Sequence, residues 1–112
     1  MQGESIFPEP ILRLAAADVP LDGVHARLSQ ADTHQILFME FSEDAEVAEH
    51  SHGAQWGVVL EGRIDLEIGG KEHTFQKGDR YFIPEDVPHS ARIHAGYSDI
   101  TFFDDADRYR PR

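Results

Sequence analysis

None of the 112 residues is cysteine. That absence excludes a disulfide framework, thiol redox chemistry and thiolate zinc sites such as a zinc ribbon. Positive charge is also scarce: ten Lys and Arg stand against twenty-one Asp and Glu, a formal net charge of −11. Binding phosphate needs clustered basic residues, and the C-terminal Arg108, Arg110 and Arg112 are too few, so no nucleic-acid partner is expected. The acidic balance reads as a solvated surface. No apolar run approaches the ~20 residues of a membrane-spanning helix. Met1 to Pro10 lacks the basic-then-apolar pattern of a secretory signal. A soluble cytoplasmic protein without a membrane partner is the expectation. Repeats, low-complexity tracts and interdomain linkers are missing too, which leaves a single domain over 1–112, long enough to bury roughly 65% of its unfolded surface.

What the chain does contain is strand signal. Gln35 to Phe41 is apolar on both faces apart from Gln35 and Glu40, which fits a strand covered on both sides. One barrel covers only one of those faces, so a homodimer burying this strand is expected. Arg63 to Ile68 alternates strictly, with Ile64, Leu66 and Ile68 on one face. Gly69-Gly70 supplies a two-residue hairpin turn, and Lys71 to Phe75 returns. Trp56 to Leu60, Arg80 to Ile83, Ser90 to His94 and Ser98 to Phe103 are further strands, punctuated by Gly62, Gly78, Pro84, Pro88 and Gly96. Only Ile11 to Ala17 reads as helical. So many short strands joined by Gly and Pro turns imply an all-β sandwich or barrel. The ends, about 1–9 and 104–112, are expected to pack last.

The chemistry-bearing residues are histidines. In an extended segment, residues two apart face the same way, so His50 and His52 project together while Ser51 points away. A His-x-His pair alone is weak, since chance gives roughly 0.4 per chain of this composition. The alternative is that these are ordinary polar surface residues. A third imidazole, His89, closes a site only if a barrel brings its strand alongside.

His50-x-His52-x-x-Gln55 with Gly62, then Gly78-x5-Pro84-x-Asp86-x-x-His89, resembles the paired motifs of the cupin superfamily. The resemblance spans 44–62 and 78–93, within a core of about 33–104. It implies a double-stranded β-helix, or jelly-roll β-barrel, whose motif strands face inward around a metal. It also implies a homodimer, the common state of single-domain cupins. By position it makes His50, His52, Gln55 and His89 the metal ligands. Departures are Asp44 and Asp86 where Gly is usual, Gln55 for Glu, Ile93 for Asn, and a short gap between His52 and Gln55. Three imidazoles and an amide would leave a bound divalent ion its full +2 and a strong pull on anionic oxygen. That donor set suits Fe, Mn, Co, Ni, Cu or Zn alike.

Other residues weigh less. Trp56 should point away from Gln55 into the core rather than serve as a substrate platform. His34 and His94 could line the cavity but read as surface residues. His25 sits in a turn-like stretch, and His73 lies on the outer hairpin. Tyr81 and Tyr97, expected on strands next to His89, are weak catalytic candidates against the alternative of packed aromatics. Glu43, Asp44, Glu46 and Glu49 read as a solvated loop, with Glu46 or Glu49 available to fix a His tautomer. No Ser-His-Asp order or phosphate-binding loop competes. Three readings stand: a metal-dependent dioxygenase, isomerase or lyase acting on a small oxygenated molecule; a module that binds or senses a small ligand without turnover; and a metal-free structural barrel.

Overall fold

The computed structural model describes residues 4–112, so Met1 to Gly3, part of the end expected to pack last, lie outside the described residues. After one helical turn, α1 (Glu9–Leu12), come ten strands: β1 (Ala15–Ala16), β2 (Val24–Gln30), β3 (Gln35–Phe41), β4 (Ala45–His50), β5 (Gln55–Glu61), β6 (Arg63–Ile68), β7 (Lys71–Gln76), β8 (Arg80–Ile83), β9 (His89–Ile93) and β10 (Ser98–Phe103). A six-stranded sheet runs β1-β2-β3-β10-β5-β8, and a four-stranded sheet runs β4-β9-β6-β7. Every pairing is antiparallel. The eight strands from β3 onward fall as 3-10-5-8 facing 4-9-6-7, a jelly roll.

Alternation fills the barrel. Leu37, Met39 and Phe41 of β3 turn inward with Ile64 and Leu66 of β6 and Tyr81 and Ile83 of β8. The predicted hairpin forms, with Gly69 at φ 56° and Gly70 at φ 84°, the pair of left-handed residues a two-residue turn requires. The same core cluster draws in Ala17, Val19, Ala26 and Leu28 from the N-terminal third.

Several expectations need correction. The helix expected over Ile11 to Ala17 ends at Leu12: Ala15 and Ala16 pair with Leu28 and Arg27, and Ala17 bridges Pro111. Strand pairing outweighs the helix preference of alanine, which amounts to a few tenths of a kcal/mol per residue (~0.5). His25 belongs to β2 rather than to a turn. Glu46 and Glu49 lie on β4, not in a loop, and Glu46 pairs with Arg92. Trp56 points away from Gln55 but is 41% exposed, outside the core. In register across the outer face it lies between Phe102 and Phe82, and Phe102 in turn pairs with Ile36. The outer face of β3 is covered in part by the chain's own N-terminal segment: Phe7 packs edge-on against Phe38, and Ser5 and the Ile6 amide bond to Glu40.

Candidate metal centre

A bulge sets the first histidine. On β4, Val47 pairs with Ala91 and His50 with His89, so three residues of β4 span two of β9. Strict alternation from Ala45 and Val47 would turn Glu49 inward. The extra residue shifts the parity and turns His50 inward instead. His52 follows in the loop before β5, and its carbonyl accepts the Asp86 amide. That contact ties the two motif loops together, with Asp86 at φ 62°, the left-handed conformation the resemblance assigns to Gly. His89 opens β9 and is 4% exposed.

The three imidazoles meet. Ring centroids are 5.1 Å apart for His50 and His52, 4.3 Å for His50 and His89, and 4.8 Å for His52 and His89. One ring nitrogen from each lies within 4.8 Å of the others. Every Nδ1 faces a backbone carbonyl: His50 that of Ala48 at 2.8 Å, His52 that of Gly53 at 2.8 Å, His89 that of Val87 at 2.9 Å. Since a carbonyl only accepts, each Nδ1 carries the proton and each Nε2 keeps its lone pair. Backbone carbonyls, not Glu46 or Glu49, therefore fix the tautomers. The Nε2 atoms of His52 and His89 are buried with no hydrogen-bond partner, the arrangement a cation site requires.

Electrostatics agree. Burial, reinforced by Arg108 and the neighbouring imidazoles, holds the His52 ring down to about 4. Burial likewise lowers His89, helped by His50 and Arg108. Neutral imidazoles are the form that ligates a metal, so at neutral pH a metal displaces no proton from Nε2 of these two.

Gln55, first residue of β5, lines the same cavity, of about 70 Å³, and its Nε2 donates to the Tyr81 hydroxyl at 3.4 Å. Tyr81 and Tyr97 line it too, but not from strands beside His89: Tyr81 lies on β8 of the opposite sheet and Tyr97 in the turn just before β10. Burial raises both phenols, with Asp99 adding to the effect. His34 stacks on Phe102 of the outer-facing row, His94 donates to Asp65 at 2.7 Å, and His25 and His73 are exposed. None of these four meets the triad.

Two residues at the cavity escaped the sequence reading. Asp99 is 1% exposed in the barrel interior, accepts the Tyr97 hydroxyl, and is pushed by burial up to about 7. Arg108 reaches the triad from the C-terminal tail, its Nη2 lying 3.3 Å from His50 Nε2. The tail packs rather than fraying. Gln35, fully buried, donates to the Tyr109 carbonyl at 2.7 Å and accepts its amide at 2.9 Å. Asp105 accepts the Gly53 amide at 2.9 Å, so close that a Cβ at Gly53 would stand 2.6 Å from its carboxylate. A buried amide in strand β3 was the available signal, since such a group needs partners.

An antiparallel jelly-roll barrel carrying an inward three-histidine cluster that could hold a metal ion defines the class of this protein. The Cupin domain family matches residues 37–103, more than half of the chain, and the chain belongs to that family. No curated protein sequence matches it. Among solved structures, an RmlC-like cupin from Shewanella frigidimarina superposes with a TM-score of 0.76 at 24% identity, over 96% of this chain and 97% of its own. KdgF from Halomonas sp. gives 0.68 at 19% identity, over 81% and 87%. Oxalate decarboxylase from Bacillus subtilis, an enzyme with Mn(II) centres, gives 0.63 at 22% identity, over 76% of this chain but 26% of its own. At such identities these likenesses speak for the fold.

Proposed function

We propose that this chain binds one divalent transition-metal ion through Nε2 of His50, His52 and His89, with the Gln55 amide oxygen as fourth donor. The ion serves chemistry on a small oxygenated organic molecule, by dioxygenation, isomerisation or lyase reaction. One observation carries the reading: three imidazoles whose Nδ1 atoms are committed to backbone carbonyls and whose Nε2 lone pairs share one cavity. When bound, such an ion supplies Lewis acidity or a place for O₂. The chain's own residues orient and enclose. The carbonyls of Ala48, Gly53 and Val87 hold the rings, and Tyr81 steers the Gln55 amide. With their ionisation suppressed, Tyr81 and Tyr97 hold their phenolic protons and serve as hydrogen-bond donors rather than bases.

Elemental analysis of protein purified without chelator tests the reading. About one ion per chain is expected, with a strong loss in His89→Ala, because only two imidazoles, from one strand end and the loop after it, then remain with the weaker amide donor. Equal metal in both proteins would refute it. A second reading, a binding or sensing module without turnover, is favoured by those same protonated phenols, which offer a ligand hydrogen bonds and no base, while the Asp99 carboxyl is engaged by the Tyr97 hydroxyl. Azide or nitric oxide binding at the metal reports an open position, and its absence would favour the module.

A further inference from the structure

Among the described residues, Arg108 is the one Lys or Arg side chain that lines the histidine cavity. Its guanidinium lines the histidine cavity, half-buried, and lies over the Tyr109 ring with Cζ 4.4 Å from the centroid, and 5.8 Å from that of Phe103. Among the described residues no carboxylate is within ion-pair distance of it, and unlike the other unpaired Arg and Lys side chains it faces the cavity. Its Nε is buried with no hydrogen-bond partner. The aromatic stack and the Gln35 clasp on Tyr109 hold the group in place, so the missing acceptor is not a matter of a loose side chain. A planar fork with an unanswered N–H, held beside ligating nitrogens, matches the two oxygens of a carboxylate.

We infer that Arg108 is the specificity-determining residue of this site and that it takes the carboxylate of a small organic acid. Arg108 Nη2 lies only 3.3 Å from His50 Nε2, so what the triad holds and what Arg108 holds are separated by very few bonds. A cavity of about 70 Å³ sets the same limit. The class that fits is a short acid with a second oxygen on the carbon next to the carboxylate, a 2-hydroxy or 2-oxo acid. This inference rests on the metal reading above for the second oxygen, and on Arg108 alone for the carboxylate.

The test titrates glycolate and its neutral isostere glycolamide into metal-loaded wild type, Arg108→Gln and Arg108→Lys, with metal content measured for each. Wild type should bind glycolate at least about tenfold more tightly than glycolamide, since a charge-assisted fork is lost with the charge. Arg108→Gln should cut that preference at least about fivefold, weakening glycolate far more than glycolamide, whose amide oxygen loses one hydrogen bond and no charge pairing. Arg108→Lys should fall between, keeping the charge without the fork. It also guards against misfolding, because its aliphatic stem still covers Tyr109. Metal present with no preference in wild type, or with the preference intact in Arg108→Gln, overturns the role of Arg108. Should wild type take up no metal, the metal reading fails, and Arg108 is then judged by its Nε–H resonance. A saturable shift on adding glycolate supports the carboxylate site, and no shift overturns it.

Discussion

Replacing Asp99 by Asn should free the protein of a stability loss that grows as the pH rises. The Asp99 carboxyl is 1% exposed, and among the described residues no cation is within ion-pair distance of it. Burial pushes it up to about 7 from an ordinary 3.8, against the hydroxyls of Tyr97, Thr101 and Tyr81, which pull it down. The native state therefore binds this proton more tightly than the unfolded chain between those two values. Stability falls as the pH rises across that window and levels off above about 7. At about 1.36 kcal/mol per pH unit, the whole span is worth on the order of 4 kcal/mol. Asparagine has the same shape and no charge. Its oxygen still accepts the Tyr97 hydroxyl, and its amide takes the place of the Asp99 Oδ1 that has no hydrogen-bond partner. Urea denaturation of both proteins from pH 5 to pH 8 isolates the effect, because His52, His89 and every other titrating group are shared. The variant's advantage should grow between pH 5 and pH 8 by roughly 2.7 kcal/mol, since about two pH units of the window lie above pH 5 at about 1.36 kcal/mol each. A difference that does not change with pH, or one that shifts in favour of wild type as the pH rises, would refute the buried-carboxyl argument.

Two further outcomes follow from the site and the surface. If Gln55 is the fourth ligand, Gln55→Glu should tighten divalent-metal binding by adding a charge-assisted donor, and Gln55→Ala should weaken it only moderately; a glutamate variant that binds no tighter than the alanine variant in chelator competition leaves a three-histidine site. The expected homodimer has a more specific surface than the apolar β3 strand, since Phe7 covers Phe38 while Trp56 and Phe82 stay 41% and 57% exposed. Light scattering at micromolar concentration should give twice the chain mass and drop to the chain mass in a Trp56→Ser, Phe82→Ser double variant; a monomeric wild type would count against the dimer.

Local pattern alone was enough for the β6–β7 hairpin, for β3, and for β10 from Ser98 to Phe103, because period-two apolar alternation and a Gly-Gly turn report on residues adjacent in the chain. It was enough, with the motif spacing, to single out His50, His52 and His89. Tertiary structure decided the rest. Ala15–Ala16 became a strand because β2 offered an edge to pair with. His50 faces inward because a bulge against β9 shifts the parity of β4, which no reading of β4 alone reveals. Trp56 is exposed because Gln55, its neighbour, takes the inward position. Asp99 lies in the interior because β10 turns its odd-numbered residues inward, and side-chain burial overrides polarity only where a neighbour such as Tyr97 supplies a hydrogen bond. Arg108 looked like one of three scattered terminal cations. It meets the histidines only because the Gln35 amide, far off in sequence, clasps the tail, and such a contact depends on which strands the fold places side by side.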